Sequence, residues 1–319
     1  FPFYKQLLAL GIGAIGVALI SFLDYRQLRS LSVIAYLVGA VLLISVLIFG
    51  HQSHGTRGWF LIGPLSFQPV EFAKITLVIY LATFFTRQGH GNLKWRVFGQ
   101  SAVATGLYAG LVMLQPDFGS AMVMLGAWAL LCLFAGLPKR AFIILPTLVL
   151  IACGFLWEFG LKDYQRDRIL AFANPQTDDR GSGYNAAQAR IAIGSGGWLG
   201  KGIGEGSQAR LRFLPEAATD FIFAVLGEEL GFVGITITIG LFLLVLYRFI
   251  HIAQDSGDDF AILLLVGTGS IFFIHVFVNA GMNLGIVPVT GIPLPFVSSA
   301  ASSLVVSYFI IGLTESVAI

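Results

Sequence analysis

Nine stretches of this chain are apolar for long enough to cross a lipid bilayer, and that alone removes most folds. They fall at about 6–23, 30–50, 70–86, 97–114, 118–136, 141–158, 220–247, 261–284 and 299–317. A hydrocarbon core about 30 Å thick takes about 20 apolar residues as a helix. Water is absent there, so a spanning segment must satisfy its own backbone N–H and C=O groups, which an α-helix does. The expected class is an all-α polytopic membrane protein: one bundle of about nine transmembrane helices through residues 1–319, with 159–219 as a large polar loop within it. Charge agrees, since only 11% of residues are charged, against about 25% in a soluble domain. A net charge of +2 gives no reason to expect nucleic acid. Cys132 and Cys153 lie in different apolar runs and read as small buried hydrophobes. With no CxxC and no Cys/His cluster, a zinc site is not expected. The chain opens on Phe1 and turns helical almost at once, which reads as a segment without its natural N-terminus or a preceding span.

Basic residues in the short connections set the orientation. Arg26 and Arg29 lie in the first, Arg87, Lys94 and Arg96 in the third, Lys139 and Arg140 in the fifth, and Arg248 in the seventh. The alternate connections at 51–69, 115–117 and 285–298 hold only Arg57. By the positive-inside rule the first set is cytoplasmic, so 51–69, 115–117 and the long loop 159–219 are extracytoplasmic. This parity gathers Arg57, Trp59, Gln68, Glu71, Lys74, Gln115, Asp117, Glu216 and Asp220 on the outer side. Ionisable groups inside a bilayer cost roughly 2.5–3.5 kcal/mol at mid-span, so those that persist ordinarily have a task. No internal repeat is visible, and the inverted repeats of many transporters are not seen.

Glu71 and Lys74 stand three apart on one helix and share a face. Two readings stay open for them: a neutralised structural pair, or a carboxylate that also binds a metal or orients another group. Arg57-Gly58-Trp59 and Phe67-Gln68-Pro69 form a tight aromatic loop upstream, in which Trp59 is an interfacial anchor or a sugar or head-group contact. Asp117, in the short turn Gln115-Pro116-Asp117, is the N-cap of the next helix or an oxygen ligand for a hard cation. Seven glycines between Gly194 and Gly206 read as a flexible loop. They do not follow a strand, so a dinucleotide fold is unsupported, although backbone N–H groups in such a loop can approach phosphate oxygens. Arg166, Arg168, Arg190, Arg210 and Arg212 add positive charge to the same segment. Glu228 and Glu229 cannot both face one way on a helix, so at least one points into the bundle. His275 and Asn279, four apart, are placed to cross-link helices by hydrogen bonds.

Asp220 closes Leu214-Pro215-Glu216-Ala217-Ala218-Thr219-Asp220-Phe221, where the long polar segment gives way to an apolar one. Half-burial at such a boundary keeps a carboxylate basic enough to take a proton from a sugar hydroxyl. A nearby lysine or cation would then place the leaving group. Capping of the following helix is the structural alternative.

Taken together these residues resemble the SEDS family (shape, elongation, division and sporulation), of RodA and FtsW type. The carrying segments are Gly58-Trp59, Phe67 to Lys74, Gln115 to Gly119, Gly181 to Gln188, Ile191 to Gly197, Leu214 to Phe221, Gly227 to Gly231 and Val278-Asn279-Ala280-Gly281-Met282 through Pro293 to Ser298. They run along nearly the whole chain in the family's order, and Gly281-Met282 with Gly291 to Pro295 lean toward RodA. The resemblance implies a peptidoglycan glycosyltransferase of the bacterial cytoplasmic membrane. It would polymerise lipid II, an undecaprenyl-pyrophosphate disaccharide-peptide, during cell-wall elongation and cell-shape control. It implies ten spans with both ends cytoplasmic, so that the nine seen here match helices two to ten. It implies Asp220 as the essential base on the acceptor's 4-hydroxyl, at an extracytoplasmic active site, and Glu71, Lys74 and Asp117 as cavity-lining residues. Arg57, Trp59, Gln68, Glu216, Thr219 and Ser298 complete the candidate substrate-contacting set. A divalent cation, Mg2+ or Mn2+, comes with the family, with Glu71 and Asp117 as its candidate ligands. So does a class B penicillin-binding protein, the partner that supplies transpeptidation.

Two departures stand out. Ser299-Ala300-Ala301 replaces the family's usual Tyr-Gly-Gly, and Ala218 stands where a polar residue is common, leaving Asp220 as the motif's one convincing base. The rival readings are a flippase for the same lipid-linked precursor and a non-catalytic scaffold for the penicillin-binding protein.

Overall fold

The computed structural model describes residues 2–53, 56–63, 65–89, 94–136, 181–211 and 213–319, with isolated positions between 147 and 172. The helices are α1 (Pro2–Ser21), α2 (Arg26–Phe49), α3 (Pro69–Thr86), α4 (Trp95–Leu114), α5 (Phe118–Phe134), α6 (Ser182–Ser195), α7 (Ser207–Arg210), α8 (Ile222–Asp255), α9 (Asp259–Leu284) and α10 (Ala301–Ala318). Among the described residues seven are long and apolar enough to cross a membrane, namely α1, α2, α3, α4, α8, α9 and α10. The protein is therefore a multi-pass membrane protein. At 17 residues α5 falls just short, closed by Asp117 as its N-cap and by Gly136 at φ 88° beyond its end. The expected span at 141–158 falls almost entirely outside the described residues, as do Arg168 and Arg212.

Two elements differ from the sequence expectation. The connection after α2 is not a plain loop. It folds as an antiparallel meander of β1 (His51–Ser53), β2 (Thr56–Ile62) and β3 (Leu65–Phe67), with Phe60 opposite Phe67 and Leu61 opposite Ser66. The run Trp59-Phe60-Leu61-Ile62 has the side chains that favour strands, and Gly63, at φ 59°, makes the reversal. The other difference is α8, which extends to Asp255 and is broken at Gly231 (φ 66°, ψ −164°).

The chain forms two compact units. The first comprises Phe1–Leu137, Leu244–His275 and Pro295–Ile319, and the second Pro138–Leu243 and Val276–Leu294. In the first, α1 packs on α10, α2 on α3, and α5 on both α3 and α4. The spanning window of α3 is 78% buried, against 17% for α1, so charges on α3 sit in an interior. Gly39 lets α2 close on its neighbours: a Cβ there would lie 2.2 Å from the Tyr108 hydroxyl and 2.5 Å from Thr76 Oγ1. Tyr36 stacks on Tyr108 and donates to the Ala104 carbonyl, while Tyr108 donates to the Tyr36 carbonyl, which locks α2 against α4.

In the second unit the glycine-rich segment repairs the break in α8. The amides of Phe232 and Val233 donate to the carbonyls of Gly197 and Trp198, and the carbonyls of Glu228 and Glu229 accept from Lys201 and Gly202. A helix interrupted inside a membrane protein must find partners for the freed backbone groups, and here the loop supplies them. Glycine is required by the approach: a Cβ on Gly200 would meet the Glu229 carbonyl oxygen at 2.1 Å, and one on Gly231 the Gly200 nitrogen at 2.3 Å. The loop expected to be flexible is thus a fitted splice, and at least two of its amides are committed to protein rather than phosphate.

Candidate functional site

The first unit holds a buried polar cluster at the start of α3. Pro69 at the first helical position sets the helix going, and Glu71 and Lys74 follow on one face. Lys74 Nζ donates to Glu71 Oε1 at 2.8 Å and lies 3.0 Å from Nε2 of His275 on α9. All three side chains are buried, at 3%, 2% and 3% exposure. With Lys74 as an ammonium, which has only donors, Nε2 of His275 is the acceptor of this contact. Asp117 Oδ1 accepts from the Ser120 amide at 3.0 Å, and Oδ2 accepts from Gln68 Nε2 at 3.3 Å. The capping reading of Asp117 is therefore realised. Asp117 is half-buried, and its loss of water holds its carboxyl above the ordinary range; the Ser120 amide and the Lys74 charge pull the other way. Ser302 of α10 ties the β3–α3 junction, accepting from the Gln68 amide and donating to the Ser66 carbonyl.

The remaining candidates of this unit are Arg57, Trp59 and Ser298. The exposed Arg57 donates to the Gly50 and Leu47 carbonyls, closing the end of α2. Trp59 lines an open groove of about 540 Å³ with Phe49, Gly50, His51, Phe60 and Leu61. Ser298 is buried, at 2% exposure.

A divalent cation can be weighed against this geometry. Among the described residues no three His, Cys, Asp or Glu side chains converge as a metal site. Glu71 already takes Lys74, and each Asp117 oxygen takes one hydrogen bond and retains a lone pair. Two carboxylates fit only a cation that brings most of its oxygen ligands with it, as Mg2+ does with waters and substrate phosphates.

The second unit holds Asp220. Glu216 adopts a left-handed φ of 52°, and its carbonyl accepts the amides of Thr219, Asp220 and Phe221. Thr219 Oγ1 donates to Glu216 Oε2 at 3.1 Å, so these two candidates brace the turn that delivers Asp220. Asp220 is half-buried at the mouth of α8. From α9, Asn279 Nδ2 and Asn283 Nδ2 both donate to its carbonyl, at 3.0 and 3.1 Å. Asn283 Oδ1 accepts from the Ala224 amide in the first turn of α8, at 3.2 Å.

Deeper in α8, Glu228 is fully buried and is the inward member of its pair. It accepts from Lys201 Nζ at 2.8 Å, Ser207 Oγ at 3.0 Å and the Gln208 amide.

Comparison with known proteins decides the family. The FtsW/RodA/SpoVE model, described as cell cycle protein, matches residues 1–319. The chain belongs to the FtsW/RodA/SpoVE family. It is 38% identical over 289 residues to peptidoglycan glycosyltransferase MrdB of Escherichia coli K12, covering 88% of this chain and 76% of that protein. A chain from a solved peptidoglycan synthase complex, described as coordinating polymerization and crosslinking, superposes with TM-score 0.86 at 34% identity, covering 99% of this chain and 89% of that one. The crystal structure of the rod shape determining protein RodA of Thermus thermophilus gives TM-score 0.72 at 31% identity, covering 99% and 86%.

The residues Ser299-Ala300-Ala301 lead into α10. None of the three adopts a left-handed φ, and Ala300 sits at φ −80°, ψ 100° as the residue before α10, without a side-chain cap. The polar work at this helix start falls to Ser302 instead. Sequence reasoning missed Asn283 and the Lys201–Glu228 tie. Two asparagines one turn apart in an apolar helix were the available signal for the first. Nothing local announces the second, whose partners are 27 residues apart.

Proposed function

We propose that this protein is a peptidoglycan glycosyltransferase that polymerises lipid II, with Asp220 as general base. Its acceptor 4-hydroxyl would lose its proton to Asp220 as the oxygen attacks the donor's anomeric carbon. The new C–O bond forms as the bond to the undecaprenyl pyrophosphate breaks, and the leaving group departs with the electron pair. One displacement inverts an α-linked donor into a β-linked glycan, so no nucleophilic carboxylate is needed. The observation that carries this reading is the mounting of Asp220: a half-buried carboxylate on a braced turn, its backbone held from α9. General-base catalysis needs a carboxylate in fixed register with the hydroxyl it deprotonates. The naming of relatives as peptidoglycan glycosyltransferases supports the same reading.

The proposal also takes in a class B penicillin-binding protein as partner, supported by the resemblance to a chain of a peptidoglycan synthase complex. It includes the bacterial cytoplasmic membrane, with Asp220 on the extracytoplasmic side. A divalent cation, Mg2+ or Mn2+, would be held by Asp117 and Glu71 and would supply positive charge for a pyrophosphate. The test is a gel assay on fluorescent lipid II, using the protein with its partner's transpeptidase blocked, with and without added cation. A polymer ladder that Asp220→Asn abolishes and chelation weakens is expected. A folded, partner-bound Asp220→Asn protein that polymerises at the normal rate would falsify the assignment of the base.

A further inference from the structure

We infer that Asn279 and Asn283 are positioning residues, a two-amide clamp that sets the orientation of Asp220; the inference rests on Asp220 as the base. Both asparagines are fully buried on α9, one turn apart. Their amide orientations are forced by what they face. Asn279 Nδ2 meets two carbonyl oxygens, of Asp220 at 3.0 Å and of Ile292 at 2.8 Å. Asn283 Nδ2 also meets two, of Asp220 at 3.1 Å and of Asn279 at 2.8 Å, while its Oδ1 faces the Ala224 amide. Reversing either amide would set oxygen against oxygen.

The clamp acts on the backbone of Asp220. The Asp220 amide is fixed to the Glu216 carbonyl at 3.1 Å, and its own carbonyl is fixed by the two asparagines. Both peptide groups beside its Cα are therefore held. The carboxylate comes to rest against Gly291, where a Cβ would lie 3.3 Å from Oδ2 and where φ is 74°. Asn279 holds that neighbouring segment too, through Ile292. Asn283 ties the same carbonyl to the first turn of α8. Two polar side chains buried in an apolar helix carry a cost that an ordinary helix cross-link does not need twice on one oxygen. Among the described residues Asn279 Oδ1 is buried with no hydrogen-bond partner, while both its donor hydrogens are used.

Two donors on one acceptor give the proposal a distinctive signature. Either asparagine alone still anchors the carbonyl, so the single variants lose less than the pair. Asn279→Leu, Asn283→Leu and the double variant are compared with Asp220→Asn, as the full chain with its penicillin-binding protein partner, on lipid II. Each single change is expected to lower kcat about threefold to fivefold, and the double change about 100-fold, because a base displaced by about 1 Å loses that order of rate. The double loss should exceed the product of the single losses with KM nearly unchanged, and kcat, read well below each variant's melting temperature, should fall further than any loss of folded protein explains. If the leucine variants fail to fold, Asn279→Ser and Asn283→Ser serve instead, since they fit the space with hydroxyls too short to reach the carbonyl. A double variant with wild-type kcat beside an inactive Asp220→Asn overturns the clamp and spares the base. A kcat that falls only in step with melting temperature also overturns it. An active Asp220→Asn removes the base itself, and the clamp with it.

Discussion

Among the described residues two buried glutamates pair with lysines, one in each compact unit, and the pairs are built for different ends. Glu71 and Lys74 lie three residues apart on one helix, both buried, with His275 as a third member. Glu228 and Lys201 join a helix to a loop, with the glutamate fully buried and the lysine side chain 33% exposed. The first pair is sealed, so each charge depends on the other. The second is a tether: Glu228 also takes Ser207 and Gln208, and Lys201 keeps a path to water. A shared ion-pair chemistry thus makes a charge-balanced interior in one place and a fastening for the α8 splice in the other. Burial of both partners, rather than their distance of 2.8 Å, makes the difference.

The largest effect should come from Lys74→Met, which strands Glu71 in the interior. Breaking one side of a sealed pair costs about 3–5 kcal/mol. Thermal melting of the purified protein should show the loss, and Glu71→Gln added to Lys74→Met should restore much of it. Lys201→Met should cost less, about 1.5 kcal/mol, because Glu228 keeps neutral donors and the lysine was partly solvated. Equal losses for the two lysine variants in the same melt would break the comparison.

The smallest effect concerns Asp117, which belongs to the first cluster but keeps some access to water. Its carboxyl is held above the usual value near 3.8 by loss of water. A raised folded value means the folded protein binds the extra proton, so this contribution is full below the unfolded value. It is lost as pH rises through the folded one. Asp117→Asn keeps an oxygen for the Ser120 amide and cannot titrate. Melting temperature should therefore fall less steeply for this variant than for wild type as pH rises from about 4 toward neutrality. Parallel pH curves would assign the slope to other groups.

Legibility followed range along the chain. Glu71 and Lys74 were readable because a helix brings residues three apart onto one face, and their burial followed from the apolar run around them. His275, the third member, lies 201 residues from Lys74, and no local pattern joins them. Asp117 read as a cap because capping needs only an acceptor and a helix start. The meander at 51–67 escaped notice because its strands are short and its glycine and proline punctuation also suits a loop.

The length of the apolar runs and the cost of unpaired backbone in lipid determined, from the sequence alone, that this chain is a multi-pass helical protein. Leu214 to Phe221, where polar sequence becomes apolar, likewise marked Asp220 as the residue to test. Only the tertiary structure decided what holds each charged group. A hydrogen bond depends on atoms within about 3 Å, and Asn283, 63 residues beyond Asp220, reaches it only through packing. The same holds for the glycines. Their number was visible in the chain, but Gly200 and Gly231 are required because two backbones meet where a Cβ would find another chain segment at 2.1 and 2.3 Å.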